Sequence, residues 1–141
     1  MADVVTTQIL ENGPRNVVMK FTNESDGTGE TAVTKVNATS SGSLGVVYQG
    51  QTFYPGVHLK VVGIEYDIKS MGLRIQWNAS PDADMMVLGG FGTKDFRSFG
   101  GLFVPSGLTS PTGSIDFTTV NANLGASDLV SLRMRKGVPQ S

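Results

Sequence analysis

The chain has 141 residues, a length that suits one domain with its own core, so residues 1–141 are predicted to form a single domain. Charged residues make up only 16% of the chain and the net charge is −1, which supplies no concentrated positive field, so nucleic acid is not expected as a partner. The chain has no cysteine, which excludes disulfides, thiol nucleophiles and cysteine-bound metals.

Alternating apolar and polar residues in the first half of the chain predict short strands rather than helices. A weak candidate covers residues 4–10, a stronger one covers residues 15–23, and two further weak ones cover 31–36 and 46–48. The clearest alternation lies in residues 61–69, where one face carries Val62, Ile64, Tyr66 and Ile68 and the other carries Glu65, Asp67 and Lys69. Each of these strands is expected to have one buried and one wet face.

The pattern of residues 61–69 repeats in residues 73–78, with Leu73, Ile75 and Trp77 on the apolar side. The Ser70-Met71-Gly72 link between the two runs is typical of a hairpin turn. The two runs are therefore predicted to be separate strands that pair antiparallel. Trp77 is predicted to be a core residue because it is in phase with Leu73 and Ile75.

The second half of the chain carries a weak candidate strand at residues 85–88 and clear ones around residues 115–118 and 130–135. Asp116 and Thr118 are assigned to the wet face of the first of these clear strands. In all, about eight short strands separated by Gly, Pro, Asn and Ser turns predict an all-β fold. We expect a two-sheet antiparallel β-sandwich of jelly-roll type.

Residues 89–113 show neither a strand nor a helix period, so they are predicted to form one long ordered loop. The loop is rich in glycine and carries four phenylalanines, each of which either tucks under the loop or faces a partner. Aromatic side chains buried at the centre of an interface often dominate its energy. The candidate partner-contact residues are therefore Phe91, Phe96, Phe99 and Phe103.

Few residues in the sequence suggest catalysis, and the protein is not expected to be an enzyme. His58 is the single histidine, and without a cysteine or a second histidine it forms no recognisable catalytic set. Glu65 and Asp67 share one strand face and could act as a carboxylate pair or bind a hard cation, although a wet sheet face explains them as well. No catalytic residue and no cofactor are predicted.

Two loops carry residue types that are found in ligand sites. Residues 26–30 concentrate oxygen ligands as a calcium loop would, but their Asp-Gly pair is also a common turn signal, so a bound cation stays open. Residues 89–94 are glycine-rich with a lysine, yet their spacing matches no phosphate-binding loop. For glycan binding, which uses exposed aromatic platforms, Tyr48, Tyr54 and Tyr66 remain weak candidates.

No apolar stretch approaches the roughly 20 residues that span a bilayer, so no membrane partner is expected. Residues 1–7 lack the basic start and apolar run of a secretory signal, so we expect a soluble protein that is made inside a cell.

Several stretches of the chain resemble one family of phage proteins. They are residues 9–18, residues 21–23 and 26–30, the Gly-Phe-Gly-Thr run that begins at Gly90 with Asp95-Phe96, and residues 132–136. Over most of its length the sequence is similar to the capsid cement or decoration proteins of tailed bacteriophages, small virion proteins that include jelly rolls of about this size. No catalytic motif is carried over by this resemblance.

The resemblance implies a non-enzymatic virion structural protein on the outer surface of the capsid, where it stabilises the head by bridging subunits of the major capsid protein. It also implies a homo-oligomer, either a dimer or a trimer. Residues 1–7 and 137–141 could reach a neighbour as extended arms by strand addition. The alternative function is a receptor- or glycan-binding module of a phage tail or head fibre, which would present an exposed tyrosine or tryptophan platform.

Overall fold

The computed structural model describes residues 4–13, 16–26, 33–39, 42, 44–105, 107–120 and 124–136. These residues form an all-β fold, which confirms the all-β part of the prediction, with two short 3-10 turns at Gly56–His58 and Arg97–Phe99. The strands are β1 (Val4–Asn12), β2 (Asn16–Asp26), β3 (Val33–Val36), β4 (Val46–Tyr48), β5 (Gln51–Phe53), β6 (Lys60–Trp77), β7 (Ala83–Asp95), β8 (Ile115–Val120) and β9 (Leu124–Arg135).

Seven of these strands form one sheet, and β4 pairs with β5 in a separate two-stranded sheet. The order in the large sheet is β1-β2-β9-β6-β8-β3, and β7 pairs with the other edge of β6. All of the pairings are antiparallel. Residues 4–7 belong to β1 and pair with β2, so this part of the predicted N-terminal arm lies in the sheet. Residues 1–3 and 137–141 lie outside the described residues.

Strand β6 is the common partner of three other strands. Its first half pairs with β9, its second half pairs with β8, and β7 runs along its opposite edge in both halves. Strands β8 and β9 therefore lie end to end along one edge of β6. The hairpin predicted at Ser70-Met71-Gly72 is wrong, because these residues lie inside β6 and the two runs form one strand.

An irregularity inside β6 replaces the predicted turn. Ser70 has a φ of 64°, and the pairing register with β7 shifts between Ile68 and Leu73. The buried positions consequently change from even numbers, as at Ile64 and Ile68, to odd numbers, as at Leu73 and Ile75. Serine and glycine suit a bulge as well as a turn, so the sequence alone did not separate the two.

The core is a cluster of buried side chains from most strands of the large sheet. It includes Val17, Met19 and Phe21 on β2, all 6% exposed or less, which confirms the alternation predicted for residues 15–23. Trp77 is 2% exposed and is confirmed as a core residue. Further members are Ile64, Ile68, Leu73, Ile75, Ile115, Phe117, Val130, Leu132 and Met134.

The predicted loop at residues 89–113 is shorter in the structure, because residues 89–95 continue β7. After Asp95 the chain makes the 3-10 turn and then returns to the start of β6. Leu102 exchanges two backbone hydrogen bonds with Val61, at 2.8 and 2.9 Å, and Phe96 N–H donates to the Val62 carbonyl at 2.9 Å. The loop is thereby fastened to the edge of β6 just beyond the end of β7.

Candidate protein-binding surface

The four phenylalanines predicted as partner contacts have different positions in the structure. Phe91 is on β7 with 83% of its surface exposed, and Phe103 follows the 3-10 turn and is 53% exposed. Phe96 is partly buried against the core. The side chain of Phe99 lies outside the described part of the chain. The structure therefore leaves Phe91 and Phe103 accessible to a partner and turns Phe96 inward.

Phe91 is held on the outward face of the sheet by its cross-strand neighbours. It lies opposite Asp67 on β6, which in turn lies opposite Leu129 on β9. Leu129 is 39% exposed, and Val87 on β7 is 60% exposed. Burying such exposed apolar side chains against a partner removes their surface from water, which favours binding. The outward face near β7 is the most apolar part of the candidate surface.

Phe103 is positioned by the loop that returns to β6. Its neighbour Leu102 is fixed to Val61 by the two backbone hydrogen bonds described above. The ammonium group of Lys60 lies 5.4 Å from the centre of the Phe103 ring, a cation–π geometry. The ring is thus exposed but held in a defined place, which lowers the entropy lost when it contacts another protein.

Two carboxylates near this surface are paired with arginines. Asp95 accepts hydrogen bonds from the guanidinium and the backbone N–H of Arg97, and these bonds lower the pKa of Asp95 to about 2. Glu65 is ion-paired with Arg133 across β6 and β9. Glu65 and Asp67 do share an exposed face, as predicted, but Glu65 is engaged by Arg133.

His58 lies in the 3-10 turn before β6, where it is exposed. Among the described residues, no group of three or more His, Cys, Asp or Glu side chains is placed to hold a metal ion. Residues 27–30 of the proposed calcium turn lie outside the described residues. Residues 89–94 are strand rather than loop, in keeping with their mismatch to phosphate-binding loops.

The tyrosines and the tryptophan do not form an exposed platform among the described residues. Trp77 is buried, and Tyr54 and Tyr66 are half-buried. Tyr66 packs over Gly92, where a Cβ atom would lie 2.9 Å from the tyrosine oxygen. The side chain of Tyr48 lies outside the described part of the chain.

A buried acidic group that the sequence did not indicate lies on β8. Asp116 is 1% exposed, so its assignment to the wet face of its strand is wrong. Its carboxylate accepts hydrogen bonds from Thr34 Oγ1 at 2.7 Å and from Asn78 Nδ2 at 2.8 Å. Asn78 is fixed in turn by Thr112 Oγ1, which donates to Asn78 Oδ1 at 2.9 Å. The hydrogen bonds of Asp116 therefore connect β3, β8 and the segment after β6.

Asp82 lies in the turn that precedes β7, close to the carboxyl group of Asp116. Its Oδ1 accepts a hydrogen bond from the Ala79 N–H at 3.2 Å, and its Oδ2 is buried with no hydrogen-bond donor among the described residues. Burial first, and then the nearby Asp116 carboxylate, which can accept a hydrogen bond from protonated Asp82, raise the pKa of Asp82. The period-two pattern gave no signal for this pair, because the turn that covers Asp116 belongs to a different segment.

A second buried polar contact joins the ends of β1 and β9. Lys136 is 5% exposed, and its ammonium group donates to Asn12 Oδ1 at 2.6 Å. Burial lowers the pKa of Lys136. This contact closes one end of the core next to Val17, which lies opposite Asn12 on β2.

Comparison of the chain with known protein families, with characterised proteins and with solved structures gives no match. Within the described residues no helix has the length and apolar character needed to cross a membrane.

Proposed function

We propose that this protein is a non-enzymatic virion structural protein that binds the outer surface of a tailed-phage capsid and stabilises it by bridging major capsid subunits. Two points support the proposal. The sequence resembles capsid cement and decoration proteins over most of its length, and Phe91 and Phe103 are exposed whereas Phe21, Phe117 and Trp77 are buried. The exposed phenylalanines carry the argument from the structure.

The energy available from these side chains fits an attachment role. Full burial of one phenylalanine is worth roughly 1.5–3 kcal/mol, and aromatic residues at an interface centre often contribute more than their neighbours. One contact of this size gives weak binding. A protein that touches two capsid subunits at once gains effective concentration for the second contact, so many weak contacts reinforce a shell.

The low charge of the chain supports the same role. Glu65 and Asp95 are already paired with Arg133 and Arg97, so they can approach a protein surface without becoming isolated charges. The two-sheet jelly-roll sandwich expected from the strand pattern is part of this proposal, as are the location in the virion and the synthesis in the host cytoplasm.

The proposal is tested with shells assembled from the major capsid protein encoded in the same genome. Purified protein is mixed with the shells, and co-sedimentation gives the affinity and the copy number. We expect saturation at about one copy per few capsid subunits. We also expect Phe103→Ser to weaken binding roughly tenfold, which corresponds to a loss of about 1.4 kcal/mol.

Val47→Ser is the matched control, because Val47 is 72% exposed but lies on β4 in the small sheet. It should bind shells as the unchanged protein does. Saturation at only a few copies per particle, or binding to a glycan array but not to shells, would contradict the proposal and favour the fibre-module alternative. Electron microscopy of saturated shells would then locate the density on the outer surface or exclude it there.

A further inference from the structure

We propose that the open edge of β7 pairs antiparallel with β7 of a second copy of this chain, about a two-fold axis at Gly89. The proposal concerns the protein alone and stands whether or not the capsid assignment is correct. Within the described residues β7 pairs with β6 and with no other strand, so its second edge presents unpaired backbone groups. Such an edge is a template for another strand.

The hydrogen bonds of neighbouring residues show which backbone groups of β7 face outward. Phe96 N–H donates to the Val62 carbonyl, so the even-numbered residues in this part of β7 bond to β6. Because the groups alternate along a strand, Phe91, Thr93 and Asp95 direct their N–H and C=O groups to the open edge.

The direction of the backbone groups can be derived in the same way for the part of β7 just before Gly89. Asn78 N–H donates to the Ser114 carbonyl, so the even residues in this half of β6 bond to β8 and the odd ones bond to β7. Leu73 lies opposite Leu88, which leaves Val87 directed to the open edge. Val87 on one side of Gly89, and Phe91, Thr93 and Asp95 on the other, therefore present their backbone groups outward.

The exposed apolar residues of β7 are placed symmetrically about Gly89. Val87, 60% exposed, precedes it by two residues, and Phe91, 83% exposed, follows it by two. Antiparallel pairing centred on Gly89 sets Val87 of each copy opposite Phe91 of the other, in hydrogen-bonded positions. Four exposed apolar side chains then gather on one face. This self-complementarity identifies a second copy as the occupant.

A glycine at position 89 is suited to a place on the two-fold axis. A Cβ atom at this position would meet nothing within 4 Å, and its φ is not in the left-handed region, unlike that of Gly90 at 71°. No contact inside the described chain explains a glycine there. A glycine in a strand often marks the close approach of another backbone, which is what the two-fold axis brings to Gly89.

The charges of β7 favour the antiparallel direction. Asp84 precedes Gly89 by five residues and Lys94 follows it by five, and residues 85–93 between them contain no charged side chain. The pairing therefore brings the acidic end of one strand to the basic end of the other. The stretch also lacks the inward charges and prolines that usually protect an edge strand.

Sedimentation equilibrium of the purified full chain, without capsid protein, tests the association. We expect a dimer, and we expect Phe91→Asp and Val87→Asp each to raise the dissociation constant at least about tenfold. Val47→Asp adds the same charge to an exposed valine outside the edge and should leave the dimer intact. Native fluorescence of Trp77 verifies that each variant is folded. A monomeric unchanged chain, or equal effects of all three variants, would overturn the proposal.

Cysteine cross-linking tests the register, since the chain has no cysteine of its own. Hydrogen-bonded partners lie about 5.5 Å apart at Cα, within the span of a disulfide, so Val87→Cys mixed with Phe91→Cys should form a rapid cross-linked dimer. Each variant alone should not, because identical residues would be about 14 Å apart. Equal cross-linking of the single variants would contradict the axis at Gly89.

Discussion

The rings of Phe21 and Phe117 meet edge to face, with centroids 5.2 Å apart and planes inclined by 68°. Phe21 lies on β2 and Phe117 on β8, two strands that do not pair with each other. The contact therefore crosses the core and joins the half of the large sheet built on β9 to the half built on β8.

Replacing either ring with leucine should destabilise the fold by about 1–3 kcal/mol, because each is 1% exposed and its removal leaves a gap. The double variant should lose less than the sum of the single losses, by about 0.5–1.5 kcal/mol, since the ring pair is lost only once. Urea unfolding followed by Trp77 fluorescence measures all three. Strict additivity would show that the two rings do not interact energetically.

Asp82 should make the folded protein less stable as the pH rises. The pKa of Asp82 lies above its ordinary value of 3.8 in the folded state, so the fold binds this proton more tightly than the unfolded chain does. The stabilisation is complete below pH 3.8 and is lost as the pH rises through the folded pKa.

Asp82→Asn should therefore raise the thermal midpoint at pH 7 and flatten its decline above pH 4. Asparagine keeps the acceptor for Ala79 N–H and offers a donor to Asp116. Asp84→Asn, at an exposed position two residues later, is the control and should leave the decline in place. A lower midpoint for Asp82→Asn at pH 7 would show that the charged pair is not repulsive.

Gly113 should be far less tolerant of alanine than Gly107. Both have a left-handed φ, 80° and 90°, which costs a non-glycine residue about 1–2 kcal/mol. A Cβ at Gly107 would meet nothing within 4 Å, but one at Gly113 would lie 1.7 Å from the carbonyl oxygen of Gly56. Gly113→Ala must therefore displace the backbone as well. Urea midpoints should fall modestly for Gly107→Ala and severely for Gly113→Ala, and equal losses would contradict the close approach.

Arg97 should control the titration of Asp95. Its side-chain hydrogen bonds are the larger cause of the low pKa of Asp95, and its backbone N–H is the next. Arg97→Gln keeps the backbone donor, so the pKa of Asp95 should rise from about 2 only part of the way toward 3.8. NMR titration of the carboxyl carbon measures the shift. An unchanged pKa would mean that the guanidinium does not hold the carboxylate in solution.

The sequence predicted the strands well where one face is buried and the other is wet. Val17, Met19 and Phe21 were assigned correctly because the period of two follows directly from strand geometry. The same rule failed at Asp116, since the residues that cover it come from a turn elsewhere in the chain. The sequence also placed Phe91 in a loop, because glycine is rare in strands, yet pairing with β6 keeps residues 89–95 extended.

The alternation of apolar and polar residues is a local signal, whereas the course of β6 depends on the strands that pair with it. Ser70 and Gly72 are residue types that are common in turns. Only the pairing of β9 and then β8 with successive parts of β6 shows that the strand continues past them. For the candidate surface, composition identified the phenylalanines as a group. Which of them stays exposed depended on the loop being fastened at Val61 and Val62.

The pairing of β2 with β9 has a consequence for the order of events during synthesis. Asn16 lies opposite Arg135, so the partner of β2 leaves the ribosome more than a hundred residues later. Until then the apolar row of Val17, Met19 and Phe21 has no β9 to lie beside. Long-range pairings of this kind form slowly. The nascent β1–β2 hairpin is therefore the stage at which a chaperone would be needed most.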